Sequence, residues 1–214
     1  MTAPDRTAVD RPARAARRER TTRETAISVT LDVDGPRGEV EVSTGLPFFD
    51  HMLDQIGRHG GFDLTVDAKG DIHVDGHHTV EDVGILLGET FREALGDKAG
   101  VRRFASGLFP LDEALIEVAV DLSGRPWVSY DVPFGEVLPL GDPPFNPEMA
   151  EHFWQSFATS AGITLHVNKK AGVNTHHVVE ATFKGVSRCL RDAVRVEGTA
   201  VPSTKGTLTG TADA

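Results

Sequence analysis

Apolar and polar positions alternate over residues 25–33, where Ile27, Val29, Leu31 and Val33 fall on one face. A period of two predicts a half-buried strand. Gly35, Pro36 and Gly38 mark a turn, and Val40 and Val42 predict the second strand of a hairpin. Pro47 opens a helix at its first turn. Phe48, Met52, Leu53 and Ile56 form its apolar face, and Gly60-Gly61 ends it. Alternation returns at Phe62, Leu64 and Val66, and Ile72 and Val74 suggest a short fourth strand. From about His78 to Leu95 the apolar residues Val83, Leu86, Leu87, Phe91 and Ala94 recur at helical spacing.

The same order of periods then repeats. Residues 115–122 and 127–132 predict a second pair of strands, joined by Gly124-Arg125-Pro126. A Gly/Pro-dense loop follows over 139–147, then a helix over 149–161, a strand through Ile163, Leu165 and Val167, and a helix over 176–196. Phe62-Asp63-Leu64-Thr65-Val66 aligns with Ile163-Thr164-Leu165-His166-Val167, and Arg92-Glu93-Ala94 with Arg191-Asp192-Ala193. The chain reads as an α+β fold with an internal duplication of two β-β-α-β-α halves, at about 24–100 and 112–198. Residues 1–20, with Arg11, Arg14, Arg17, Arg18 and Arg20, contain few large apolar side chains and are expected to be a disordered arm. A disordered Gly/Thr-rich tail is expected over 207–214, which leaves 21–206 as a single domain.

Composition narrows the function classes. Of 214 residues, 39% are hydrophobic and 25% charged, as in a soluble globular protein. The net charge of −10 argues against general nucleic-acid binding, though not against a local cationic pocket for a phosphate. No apolar run is long enough to span a membrane, and the N-terminus lacks an apolar signal core. The lone Cys189 sits in a helical pattern and is expected to be a small buried residue. A reducing cytoplasm is the default setting.

The chemistry is in the histidines. Gly76-His77-His78-Thr79-Val80-Glu81-Asp82 returns as Thr175-His176-His177-Val178-Val179-Glu180-Ala181. On a helix, His77 and His78 lie one turn from Glu81, which groups imidazole nitrogen with carboxylate oxygen as ligands for a divalent transition metal. His51 and His152 match each other in the two halves, through Asp50-His51-Met52 and Glu151-His152-Phe153. Six imidazoles (His51, His77, His78, His152, His176, His177) and two carboxylates (Glu81, Glu180) then divide most simply between two ions. Each ion would take three histidines and one glutamate, drawn from both halves or from neighbouring subunits. Adjacent helical residues diverge by about 100°, so His77 and His78 would serve different ions. Mn²⁺ or Fe²⁺ would leave open positions for a substrate, and a site without cysteine ligands weakens Zn²⁺. His59, eight positions after His51 on the same helix, is a further candidate.

Arg23-Glu24-Thr25, the run from Ser43 through Phe48-Phe49-Asp50-His51-Met52-Leu53, both histidine motifs, Gly124-Arg125-Pro126 and Pro202-Ser203-Thr204-Lys205-Gly206 together resemble the imidazoleglycerol-phosphate dehydratase family. The resemblance spans roughly 23–208. It implies a helical bundle between two four-stranded sheets and a cytoplasmic enzyme of histidine biosynthesis. The implied reaction takes D-erythro-imidazole glycerol phosphate to imidazole acetol phosphate and water, through a metal-bound imidazolate and a diazafulvene. It implies two Mn²⁺ per active site on the eight residues named above, and a homo-oligomer of 24 subunits built from trimers. It places Glu24 beside the substrate as acid/base, with Glu81 and Glu180 as catalytic carboxylates. His51, His59, His77, Glu81 and His176 would contact the phosphorylated imidazole substrate, and Arg103, Arg125, Lys184, Ser203 and Lys205 would hold its phosphate end. From the residues alone, a dinuclear phosphate-ester hydrolase and a non-catalytic metal-storage protein stay open as alternatives.

Overall fold

The computed structural model describes residues 13–35, 38–135 and 138–208. The elements run β1 (Ala15–Thr21), β2 (Thr25–Asp32), β3 (Val40–Ser43), α1 (Pro47–Gly60), β4 (Asp63–Gly70) and α2 (His77–Leu95). The second half repeats them as β5 (Phe104–Leu111), β6 (Ala114–Asp121), β7 (Trp127–Asp131), α3 (Met149–Ala161), β8 (Thr164–Ala171) and α4 (Thr175–Ala193). Two four-stranded sheets have the matching orders β1-β2-β4-β3 and β5-β6-β8-β7. The register repeats as well: Val29 faces Val66 in the first sheet, and Val118 faces Val167 in the second. The expected duplicated α+β architecture, with helices between two sheets, is therefore the observed one.

The inner sheet faces are the alternating apolar sets read from the sequence. Ile27, Val29, Leu31, Leu64 and Val66 are buried on one sheet, and Ile116, Val118, Val120, Leu165 and Val167 on the other. Between them α1 runs along α4 and α2 along α3, while α2 covers β1 and β2 and α4 covers β5 and β6. Each half thus lends a helix to the other, and this brings distant histidines together. The ends of α1 follow its sequence signals, with Pro47 in the first turn and Gly61 in the left-handed cap at φ 65°.

Strand partners differ from the periodicity reading in four places. First, β3 does not form a hairpin with β2; it pairs in parallel with β4, and β7 pairs in parallel with β8. The intervening helices make these crossovers, and alternation cannot distinguish them from hairpins. Second, Ile72 and Val74 form no strand: they lie in a turn where the Val74 amide bonds to the Asp71 carbonyl.

Third, residues 15–21 of the expected arm are β1, paired along its whole length with β2. Its inward face carries Arg18 and Arg20 beside a single small apolar residue, Ala16. Arg18 pairs with Glu89 and Glu93, and Arg20 with Asp82, all on α2. Charge on the inward face of an edge strand also discourages pairing with a foreign strand. Residues 1–12 lie outside the described residues. Fourth, β5 was not foreseen, so each half is β-β-β-α-β-α. At the C-terminus, Leu208 of the expected tail is buried, and 209–214 lie outside the described residues.

Candidate functional site

Three side chains from the two halves converge where α1 meets α4. His51 lies one turn into α1, and His176 and Glu180 share one face at the start of α4. Glu180 Oε2 stands 2.9 Å from His176 Nε2 and 3.3 Å from His51 Nε2. One ligand atom from each of the three lies within 4.8 Å of the others, and among the described residues these three form the one such group. Buried Gln55 donates to the His51 carbonyl at 3.1 Å and its amide nitrogen sits 3.3 Å from His51 Nδ1. That leaves Nε2 turned toward Glu180, as a supporting residue does for a metal-ligating histidine. The edge of Phe48 packs on the His176 ring, with centroids 5.1 Å apart.

Cations border this group. Lys184 Nζ lies 2.5 Å from Glu180 Oε1, so the expected single helical face is realised as an ion pair. Burial alone would raise the Glu180 carboxyl, but hydrogen bonds from Lys184, His176 and His51 outweigh it and hold the group at about 2. His59 is shifted the other way: its pKa is lowered by burial and by the nearby charges of Lys184 and Arg188.

The duplication also brings a second pair of histidines together. His77 of α2 and His152 of α3 face each other with ring centroids 4.8 Å apart, and exposed Glu81 stands four residues after His77. Each group therefore joins the first helix of one half to the second helix of the other.

The neighbouring histidines leave these groups. The rings of His77 and His78 are perpendicular, as are those of His176 and His177 within 3°. His78 Nδ1 lies 3.1 Å from Asp71 and 3.9 Å from Glu24. His177 Nδ1 lies 2.7 Å from Glu113, and its Nε2 3.7 Å from Asp112. The hydrogen bond to Asp71 raises the pKa of His78, and that to Glu113 raises His177. Glu113, held by His177 and the Asn174 amide, falls to about 2. Within one chain, His51, His176 and Glu180 thus come together without a third histidine.

Glu113 is absent from the sequence-derived candidates. Glu24 and Glu113 stand at the same distance before Val29 and Val118, which hold equivalent places in the two sheets. Aligning β2 with β6 by sheet register would have exposed it.

The remaining candidates gather elsewhere. Arg103, at φ 77°, forks onto Asp121 at 2.7 and 3.1 Å and donates to the Pro202 carbonyl at 2.8 Å. Ser203 Oγ accepts from the Lys205 amide, and Arg125 is exposed beside Ser123. The Arg103 amide bonds to the carbonyl of Ala193, the last residue of α4. His176 is at the opposite end of that helix. A rise of about 1.5 Å per residue separates the two sets by on the order of 20 Å. Of the expected phosphate contacts, only Lys184 lies beside the histidines.

Comparison with known proteins bears on this arrangement. Residues 44–190 match the family model described as imidazoleglycerol-phosphate dehydratase. The proteins of that name from Acidothermus cellulolyticus and Carboxydothermus hydrogenoformans are 55% and 51% identical, each over 91% of this chain and over 93% and 100% of their own lengths. The crystal structure of the Staphylococcus aureus enzyme superposes with a TM-score of 0.76 at 32% identity, covering 85% of this chain and 99% of that one. The Pyrococcus furiosus structure gives 0.75 at 34% identity, with 88% and 99% coverage.

Proposed function

The chain belongs to the imidazoleglycerol-phosphate dehydratase family of hydro-lyases in histidine biosynthesis, and we propose that it turns D-erythro-imidazole glycerol phosphate into imidazole acetol phosphate at sites holding two Mn²⁺. The observation that carries this reading is the group of His51, His176 and Glu180, with His77 and His152 paired at the equivalent place of the duplication. Two imidazole nitrogens and a carboxylate, mutually within 4.8 Å at His51, His176 and Glu180, suit a divalent cation of intermediate softness. His77, His152 and Glu81 offer the same donor set for a second cation. His78 and His177 turn outward, and in this reading each completes the set of a neighbouring subunit.

Bound cations would favour the deprotonated form of an imidazole and so make the substrate ring electron-rich. The chain's own residues supply the rest. The hydrogen to be removed has no carbonyl beside it, so the ring must first expel the hydroxyl, giving a diazafulvene. Glu24 is exposed, stands 3.9 Å from His78, and is assigned as the acid/base for these proton movements. Lys184 is assigned to the phosphate end, together with Arg103, Arg125, Ser203 and Lys205. His59 is assigned to the substrate beside Lys184.

Because Arg103 meets the opposite end of α4 from His176 and Glu180, a complete site in this reading draws on more than one chain. A homo-oligomer of 24 subunits built from trimers would meet that need. The exposed Phe104, Leu108 and Trp127 on the second sheet offer apolar surface for such contacts. We place the enzyme in the cytoplasm; among the described residues no helix is long and apolar enough to cross a membrane.

One assay tests the reading: incubation with imidazole glycerol phosphate and Mn²⁺, followed by chemical detection of the product. The ketone is expected. Release of inorganic phosphate without ketone would make the protein a phosphate-ester hydrolase. Neither product from metal-loaded protein would leave it a metal-binding protein without this activity.

A further inference from the structure

The linker between the halves and the C-terminal segment are laced together. Gly100 donates to the Ala200 carbonyl and accepts from the amides of Glu197 and Gly198, while the Arg102 amide donates to Arg195. Two side chains extend the lacing to the segment that carries Ser203 and Lys205. Arg103 grips its start through the Pro202 carbonyl at 2.8 Å. Lys98 grips its end: Nζ donates to the Leu208 carbonyl at 3.3 Å and to the Leu122 carbonyl at 3.2 Å. Between these grips the Gly206 amide closes a turn onto the Ser203 carbonyl.

Lys98 is an unusual residue to find in this place. It is 3% exposed, at a backbone φ of 61°, and both its acceptors are neutral carbonyls. Burying an ammonium group without a carboxylate partner is unfavourable. The burial lowers its pKa to about 8; Asp121 pulls the value back up, and Arg92 and Arg103 push it further down. A methionine would fill similar space without that desolvation, so packing alone does not explain the amine. Its distinctive contribution is the hydrogen bond to residue 208.

We infer that Lys98 is a positioning residue for the substrate phosphate: it ties down the end of the 202–208 segment, so that Ser203 and Lys205 are presented from a loop fixed at both ends. The inference rests on the reading of Ser203 and Lys205 as phosphate contacts. A loop held at both ends loses less freedom when a ligand binds than one held only at Pro202. Lys98 itself touches no substrate, so its effect belongs in binding and not in the chemical step.

The test uses the metal-loaded oligomer and the substitution Lys98→Met. KM for imidazole glycerol phosphate is expected to rise about tenfold with kcat within about twofold, and inhibition by inorganic phosphate to weaken in parallel. Amide exchange of residues 203–207 should quicken in the absence of substrate. A second variant, ending the chain at Thr207, removes the acceptor carbonyl together with the buried Leu208 side chain and leaves Lys98 in place. It should raise KM similarly, and the two changes together should do little more than either alone. Unchanged KM and exchange in folded Lys98→Met protein would overturn the inference, as would fully additive effects. Should Lys98→Met fail to fold, unchanged KM in the shortened chain has the same force. Ser203→Ala and Lys205→Ala separate the two ideas: if neither raises KM while Lys98→Met still quickens exchange, the phosphate assignment fails and the tether stands.

Discussion

The two halves keep the same histidine and glutamate positions but surround them differently. In the second half, α4 continues beyond Glu180 with Lys184 and Arg188, and α1 brings His59 beside them. The equivalent places beside His77 and His152 are Ile85, Glu89 and Ser160. The sheets differ in the same sense. Glu89 and Glu93 of α2 meet Arg18 of β1 through ion pairs. In the second half Gly107 stands in the place of Arg18 and Arg188 in that of Glu89, so this ion pair has no counterpart there. The His51, His176 and Glu180 group is therefore bordered by cations, Lys184 among them paired with Glu180, and His77 and His152 by neutral or acidic positions. The duplicated histidine positions thus sit in different charge, and only one of the two places carries cations of the kind that suit an anion.

The largest effect should come from treating the halves alike. Glu180→Gln and Glu81→Gln each remove one carboxylate from one group. If both groups hold catalytic ions, each variant should lose about 4 kcal/mol of transition-state stabilisation, roughly a thousandfold in turnover. Metal analysis should show about one ion fewer per chain in both. A Glu81 variant with full metal content and normal turnover would confine the site to α1 and α4.

Much of this was legible in the sequence because ligand spacing and core periodicity are local. The turn between His176 and Glu180, the apolar faces of β2 and β6, and the correspondence of His51 with His152 all follow from residue spacing. What periodicity could not carry was partner choice. β1 hid because Arg18 and Arg20 occupy the places where a strand usually shows Val or Ile, and their partners are far away on α2. The parallel pairing of β3 with β4 looked like a hairpin because the helix between them leaves no mark on the strands' alternation. The outward turn of His78 and His177 depends on Asp71, one loop before α2, and on Glu113, three strands and a helix before α4.

The helix pairs should break differently. A Cβ at Gly88 would lie 2.4 Å from the Phe157 carbonyl oxygen and 2.9 Å from Ser160 Cβ, so α2 and α3 have no room for one. Gly88→Ala should destabilise the fold by about 2–3 kcal/mol. The equivalent place on α4 is Ser187, whose hydroxyl only bonds back to the Phe183 carbonyl at 2.6 Å. Ser187→Ala should change stability by less than about 1 kcal/mol. Thermal melts at one fixed subunit concentration compare them. Equal losses would mean that the two interfaces are equally tight.

A gentler change addresses the charge itself. Lys184→Met removes the cation beside Glu180 but leaves the histidines. Loss of a charge-assisted hydrogen bond to the substrate should weaken binding by about 2 kcal/mol, near thirtyfold in KM. Ile85→Met, at the equivalent place on α2, should leave KM within about twofold. Steady-state kinetics with the natural substrate measure both. A Lys184 variant with unchanged KM would remove the cationic side of the comparison.

The smallest effect is in protonation, and here the halves nearly converge. His78 is raised above its ordinary 6.5 by Asp71, and His177 by Glu113 at a shorter 2.7 Å. A histidine raised by folding stabilises the metal-free chain below its ordinary value and loses that contribution as pH climbs through the raised one. Glu113 works from the other side. Its carboxyl, lowered to about 2 from 4.5, stabilises above its ordinary value and stops doing so as pH falls toward 2. The His177 pair should thus contribute most between about pH 4.5 and 6.5, and the same proton must leave before the imidazole can bind a cation. NMR titration of the metal-free chain should show the His177 pKa falling in Glu113→Gln and the His78 pKa falling in Asp71→Asn. If the Glu113 substitution leaves His177 unmoved, its shift has another source. The parallel between Glu113 and the carboxylates beside His78 would then end at sheet register.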